Sequence, residues 1–402
     1  MAIGTNFKIG LIINPIAGLG SVVGLHGTDE NNLDLAWAKG AVAQASARTK
    51  IALSGLTGKS KESLMFISQS GNMGGDALKD LSLKHVNLNL ETSDITSSQD
   101  TKNLAKALLE QKVDLILFAG GDGTARDIIS IVQQDIPILG IPCGVKMRSG
   151  VFANFLNDVS NILNNFVEQK HIELVDKEIL DMSVEINSDY GKSVFHGVAK
   201  TVLTKNLVAK AKARTAPEID LDFIELINEL SKEIAINNDV LYLIGPGNST
   251  KPIKSKFGSN FDTRGVDAVY DGEIIGKDLS ESEILTMLSK FPNSRLIVGV
   301  IGGQGFLFGR GNQQLSGTVI NRIGWNNVTV IASEAKILNL FPAELLVELI
   351  GFASEDPIPS HIKVLTSPNR SIVCRTNHCY LNKSVVDSES RVDNGKVGAG
   401  NG

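Results

Sequence analysis

Only three cysteines occur among 402 residues, too few and too odd a number for a disulfide framework, so a reducing, cytoplasmic setting is expected. Cys143 lies in a Pro-Cys-Gly turn, and Cys374 and Cys379 flank His378 without the further ligand pair that a zinc site requires. The six histidines form no HxxxH or HExxH spacing, and no metal ligand set is expected from the protein. No apolar run approaches the roughly 18 residues of a membrane span. The run Ile9–Ile13 is also too short for a secretory h-region and reads as a first strand. An excess of basic charge is missing as well. A net charge of -5 and a pI near 5.8 argue against nucleic acid or an anionic membrane surface as the main partner.

Two familiar nucleotide signatures are incomplete. The segment Leu53–Ser60 ends like a P-loop but carries leucine where the first glycine is required, and it reads as an exposed loop. The glycines between Gly18 and Gly24 are one residue too far apart for a Rossmann fingerprint.

What is present is an ordinary globular composition, 42% apolar and 21% charged, long enough for two or three domains. Short runs rich in Ile, Leu and Val at 8–13, 64–68, 85–90, 113–118 and 136–141 alternate with helical patterns, which predicts a largely parallel α/β sheet. A helix over 97–111 opens on Ser97-Ser-Gln-Asp100, a capping pattern. Val151, Phe152, Phe155, Leu156, Val159, Ile162, Leu163 and Phe166 predict a core helix. Beyond it, strands are expected at 182–186, 240–244 and 295–301, with a helix over 217–237.

The segment Asp114–Thr124 joins an apolar strand to Gly120, Gly121, Asp122, Gly123 and Thr124, directly before a helix. Glycines let backbone approach an anion, Thr124 offers a hydroxyl, and the first N–H groups of a helix favour negative charge. Any tight strand-to-helix turn also favours these residue types. A carboxylate in a phosphate cradle, however, needs a metal to hold or a proton to accept, and both roles belong to phosphoryl transfer.

The GGDGT turn is shared by several kinase families, and further blocks narrow the resemblance. Asn14–Gly20, Val23–Asp29, Ser70–Gly75, Gly140–Ala153, Leu243–Thr250, Gly265–Val269 and Ile301–Leu315 together resemble the ATP-NAD kinase family, in its long bacterial and archaeal branch that includes acetoin-catabolism X proteins. Ser21 and His26 replace that branch's usual glycine and lysine, and the similarity fades after about residue 350.

The resemblance implies an NAD kinase-like α/β fold: a mostly parallel domain over 1–150, a second mixed α/β domain over 151–350 with a nucleotide cleft between them, a segment 351–376 returning to the first domain, and a polar, disordered tail over 377–402. It implies phosphoryl transfer from ATP, or polyphosphate, to the 2′-hydroxyl of NAD, with Mg2+ carried by the nucleotide and a homo-oligomeric assembly. Asp122 would accept the hydroxyl proton. Asn14, Gly120, Gly121, Gly123, Thr124, Lys146, Arg148 and Ser149 would contact phosphates from the first domain. From the second, Gly247, Asn248, Ser249, Thr250, Gly303, Gln304 and Gly305 would contact phosphate or ribose, Asn312 and Gln313 would read hydroxyls or base edges, and Asp267 is an acidic candidate. Asp271-Gly272 reads as a hairpin turn. A kinase for another small alcohol or lipid, and a non-catalytic nucleotide sensor, are the alternatives.

Overall fold

The computed structural model describes residues 7–19, 37, 43–93, 95–143, 147–169, 173–182, 193–203, 220–259, 261, 263–340, 343–350 and 358–381. The chain divides into two compact units, one comprising 1–19, 42–211 and 385–402, the other 20–41 and 212–384.

In the first unit, β1 (Phe7–Ile13) leads to α1 (Ala45–Ser54), α2 (Gly58–Ser63), β2 (Leu64–Gln69), α3 (Gly75–Asp80), β3 (His85–Leu88), α4 (Ser98–Glu110), β4 (Leu115–Gly120), α5 (Asp122–Val132), β5 (Ile138–Pro142) and α6 (Leu156–Gln169). The hairpin β6 (Leu174–Met182) and β7 (Ser193–Val202) completes it. β1 to β5 form one sheet in the order β3-β2-β1-β4-β5, with every neighbouring pair parallel. β4 is buried along its whole length, which is why it reads as a continuous apolar run rather than an alternating one. Chain order reverses between β1 and β4, and Asn14 and Gly121 follow the carboxyl ends of those two strands. That is the switch point where open parallel sheets bind ligands.

α4 begins as its sequence predicts, with the Asp100 carboxylate accepting the Ser97 N–H at 2.8 Å. Its face of Leu104, Ala105 and Leu108 is buried in the sheet's core. All eight apolar residues from Val151 to Phe166 are buried too, but the helix starts only at Leu156. Val151–Ala153 instead run extended beside β5, where the Gly140 N–H donates to Val151 O and the Ala153 N–H to Gly140 O. The P-loop-like segment is also not a loop: α1 ends at Ser54 and the Thr57 hydroxyl caps α2 by accepting the Ser60 N–H at 3.2 Å.

The boundary expected at residue 150 falls instead near 211. Ile179 and Ala199 of the hairpin are fully buried in the same core as Phe118 and Ile129, and the Thr201 hydroxyl donates to Ile138 O at 2.7 Å. The strand expected over 182–186 is the end of β6, and residues 183–186 lie outside the described ones.

In the second unit the order is α7 (Leu221–Ile236), β8 (Leu241–Ile244), α8 (Lys251–Lys254), β9 (Asp267–Tyr270), β10 (Glu273–Gly276), α9 (Glu281–Lys290), β11 (Ser294–Gly299), β12 (Phe306–Phe308), α10 (Gly317–Ile323), β13 (Val328–Ile331), α11 (Glu334–Leu338), β14 (Glu344–Ile350), β15 (His361–Ser367) and β16 (Arg370–Leu381). Its nine strands are ordered β10-β9-β8-β11-β13-β15-β16-β14-β12. β8, β11, β13 and β15 are mutually parallel neighbours. β9 and β10 close one edge as a hairpin whose turn, Asp271 at φ 50° and Gly272 at φ 73°, has the two positive φ values of a type I′ turn. The segment expected to return to the first domain does not: β15 and β16 are interior strands of this sheet, tied by an antiparallel ladder and by β14. Residues 377–381 belong to β16 rather than to a disordered tail, and the tail beyond them lies outside the described residues.

Among the described residues no helix is long and apolar enough to cross a membrane.

Candidate functional site

The turn after β4 is built so that each residue has a distinct task. Gly121 is the N-cap of α5 and Asp122 its first residue. Asp122 is only 2% exposed, and its carboxylate accepts three hydrogen bonds: from the Arg148 N–H at 2.7 Å, the Ser149 N–H at 3.0 Å and the Ser149 hydroxyl at 2.7 Å. Burial pushes its pKa up from 3.8 to about 6; the donors of Ser149 and Arg148 pull it down, and the charge of Asp181 pushes it further up. The result is a buried carboxylic group poised to exchange a proton near neutrality.

Ser149 was expected to touch the ligand, but it has no exposed surface. Its hydroxyl oxygen also accepts the Leu180 N–H at 3.0 Å, so it joins Asp122, the chain after β5 and strand β6 at one atom. Its role is to position Asp122. Thr124 is likewise buried, and its hydroxyl oxygen accepts the Asn14 side-chain amide at 3.2 Å. Asn14 Oδ1 accepts the Ile16 N–H at 3.2 Å, and the Asn14 backbone N–H donates to Ala119 O at 3.0 Å. Asn14 and Thr124 therefore brace the ends of β1 and β4 across the switch point.

The glycines divide in the same way. A β-carbon on Gly120 would lie 2.4 Å from the Thr124 hydroxyl oxygen, so packing alone requires glycine there. On Gly123 it would meet nothing nearer than Arg126 Nη2 at 3.8 Å and Asp181 Oδ2 at 3.9 Å, and the backbone there is not left-handed. Glycine inside a helix costs up to about 1 kcal/mol against alanine, and at Gly123 no neighbour offsets that cost.

Arg148 is half-buried; desolvation lowers its pKa, while the charges of Asp122 and Asp181 raise it. Lys146 lies outside the described residues. Two residues that the sequence did not single out stand beside the turn. Arg126 Nη1 donates to Asp181 Oδ2 at 2.7 Å, and Arg126 Nη2 lies 3.5 Å from Asp127 Oδ1, which Lys102 approaches at 3.7 Å. Helical spacing, four residues from Asp122, was the available signal for Arg126. Asp181 had none, because only the hairpin brings it there.

In the second unit, two glycine loops follow the adjacent parallel strands β8 and β11. Gly247 has φ 114°, and the Thr250 hydroxyl donates to Gly245 O at 2.7 Å, closing the first loop on itself. The Lys336 ammonium donates to the Ser249 hydroxyl at 2.7 Å. Asn248 is exposed. Gly303 and Gly305 both have φ 78°, and Gln304 between them is buried. Asn312 does not face outward: it accepts the Gly309 N–H and donates to Leu307 O, holding a turn. Gln313 Oε1 is buried with no hydrogen-bond partner. Asp267, the acidic candidate, lies inside the fold. It is fully buried against the equally buried Lys254, with 3.2 Å between Nζ and Oδ2, and accepts the Asp278 N–H at 2.9 Å.

An open parallel sheet with a glycine turn and a buried acid at its switch point defines the first unit as an α/β domain of nucleotide-binding type. Residues 9–172 match the family model of the ATP-NAD kinase N-terminal domain. No curated protein matches it. Among solved structures, the solute-binding protein of an ABC transporter from Rhodopseudomonas palustris BisB5, in complex with 3,4-dihydroxybenzoic acid, is 13% identical, with 82% of this chain and 62% of that chain covered and a TM-score of 0.23. UDP-GlcNAc 2-epimerase from Neisseria meningitidis, bound to UDP-GlcNAc, is 13% identical with 86% and 82% covered and a TM-score of 0.21. Likenesses at these scores carry no argument.

Proposed function

We propose that this kinase-family protein transfers a phosphoryl group from ATP to the 2′-hydroxyl of NAD, forming NADP. The observation that carries the proposal is Asp122: a buried carboxylic group with a pKa near 6 at the floor of a glycine turn, in a domain matched to ATP-NAD kinases. Asp122 takes the proton of the attacking hydroxyl, Arg148 and Arg126 supply positive charge, and the open face of Gly123 admits phosphate.

Magnesium, where bound, supplies charge neutralisation on the transferred group. Among the described residues no group of three or more His, Cys, Asp or Glu gathers to hold a metal. Incubation with ATP, magnesium and NAD, followed by enzymatic detection of NADP, tests the assignment; absence of NADP with either ATP or polyphosphate overturns it.

The loops Gly247–Thr250 and Gly303–Gly305 are proposed nucleotide contacts. Gly302→Ala is the clean probe, since its backbone is not left-handed and a β-carbon would meet only the Lys336 chain at 3.4 Å. A tenfold weaker NAD titration is expected, and an unchanged one removes this loop from the site.

A second reading, nucleotide binding without transfer, is favoured by the three hydrogen bonds that occupy Asp122. It requires Asp122→Asn to bind NAD as the parent does while neither forms NADP.

A further inference from the structure

Gly123 has neither a steric nor a conformational reason to be glycine, and the space above it is bordered by two side chains of opposite charge. Arg126 lies four residues beyond Asp122 and so shares its helix face. Its side chain is 41% exposed, and the contacts to Asp181 and Asp127 engage two of the five N–H donors that the guanidinium carries. Asp181 is only 14% exposed and is fixed in place because its neighbour Leu180 is hydrogen-bonded to Ser149. An ion pair this exposed on the arginine side contributes little to stability.

We propose that Arg126 receives a pyrophosphate group over the open face of Gly123, and that Asp181 is the positioning residue that aims the guanidinium there. The fork of an arginine suits two phosphate oxygens at once, and a side chain already held by one carboxylate loses less freedom on binding. The inference rests on the phosphoryl-transfer reading for its ligand class. Both NAD and ATP carry the recognised group, so the experiment titrates each separately.

The full chain and its Arg126→Gln, Arg126→Lys and Asp181→Asn variants are titrated calorimetrically with NAD and with magnesium-ATP, alongside melting temperatures. Arg126→Gln is expected to weaken one of the two nucleotides at least tenfold, and the one affected identifies the source of the pyrophosphate. Arg126→Lys recovers part of the loss. Asp181→Asn weakens the same nucleotide by a smaller factor, and melting temperatures stay within a few degrees of the parent. Unchanged affinities for both nucleotides in Arg126→Gln overturn the proposal, as does a loss accompanied by a large drop in melting temperature that lysine does not rescue. A parent that binds but forms no NADP, with the Arg126→Gln loss intact, upholds the phosphate contact and sinks the kinase reading. NADP formation with unchanged binding and KM in Arg126→Gln does the reverse. A parent that binds neither nucleotide sinks both.

Discussion

Ser149 gives Asp122 two hydrogen bonds at the same oxygen, the hydroxyl at 2.7 Å and the backbone N–H at 3.0 Å, from a position with no solvent exposure. Ser149→Ala leaves Leu180 N–H without its acceptor and Asp122 with one donor fewer. A loss of about 1–3 kcal/mol in urea unfolding is expected. The acid limb of kcat/KM should also move to higher pH, because a contact that lowers the Asp122 pKa is gone. An unmoved limb with full activity would show that Ser149 does not set Asp122.

Replacing Asp122 by asparagine removes the base while keeping its size. NADP formation should fall about 100-fold or more, with NAD affinity little changed. Loss of both together would make the aspartate structural.

The same substitution has a signature in stability against pH. The folded pKa of about 6 lies above the ordinary 3.8, so the native state holds the proton more tightly; the stability this contributes is complete below 3.8 and lost as pH rises through 6. Between those limits the parent should lose on the order of 3 kcal/mol relative to Asp122→Asn. Denaturant titrations of both proteins at pH 4 and pH 7 give the double difference. A parallel response of the two proteins contradicts the raised pKa.

Asp181→Asn removes a negative charge that raises the Asp122 pKa. The acid limb of kcat/KM should therefore shift to lower pH, the opposite direction from Ser149→Ala. Profiles of the two variants measured side by side check the sign.

In the second unit, Asp267→Ala would remove the carboxylate that faces the fully buried Lys254 ammonium, which also donates to Gly265 O at 2.8 Å. Breaking a buried pair from one side costs about 3–5 kcal/mol. Equilibrium unfolding should show that loss. A variant with full stability but weakened NAD binding would restore Asp267 as a ligand contact.

The first sheet was legible because four of its five strands, β3 excepted, are mostly buried apolar runs separated by turn residues; each of the five expected runs became a strand within a few residues. Where two structures share one pattern, the sequence misled. Val151 and Phe152 continue the helical spacing of Leu156 to Phe166, yet Gly140 offers them hydrogen bonds along β5, and the extended form prevails. The hairpin was assigned to the wrong unit because little of it enters the core, with Ile179 and Ala199 fully buried and much of its length solvent-facing. Asp267 looked like a candidate ligand for want of any local sign that Lys254 neutralises it. Asp122 was readable from its turn, whereas its partners Ser149 and Asp181 depend on tertiary placement.

The hairpin's place in the first unit sets a timetable for synthesis. A growing chain that has reached residue 172, where the family match ends, holds all five strands of the sheet but neither the Leu180 amide that anchors Ser149 nor the carboxylate that steers Arg126. Ile129 and Phe118 still lack the cover of Ile179 and Ala199 at that stage. Domains emerge from the ribosome and fold as units, so this one stays structurally unfinished until β7 has been translated.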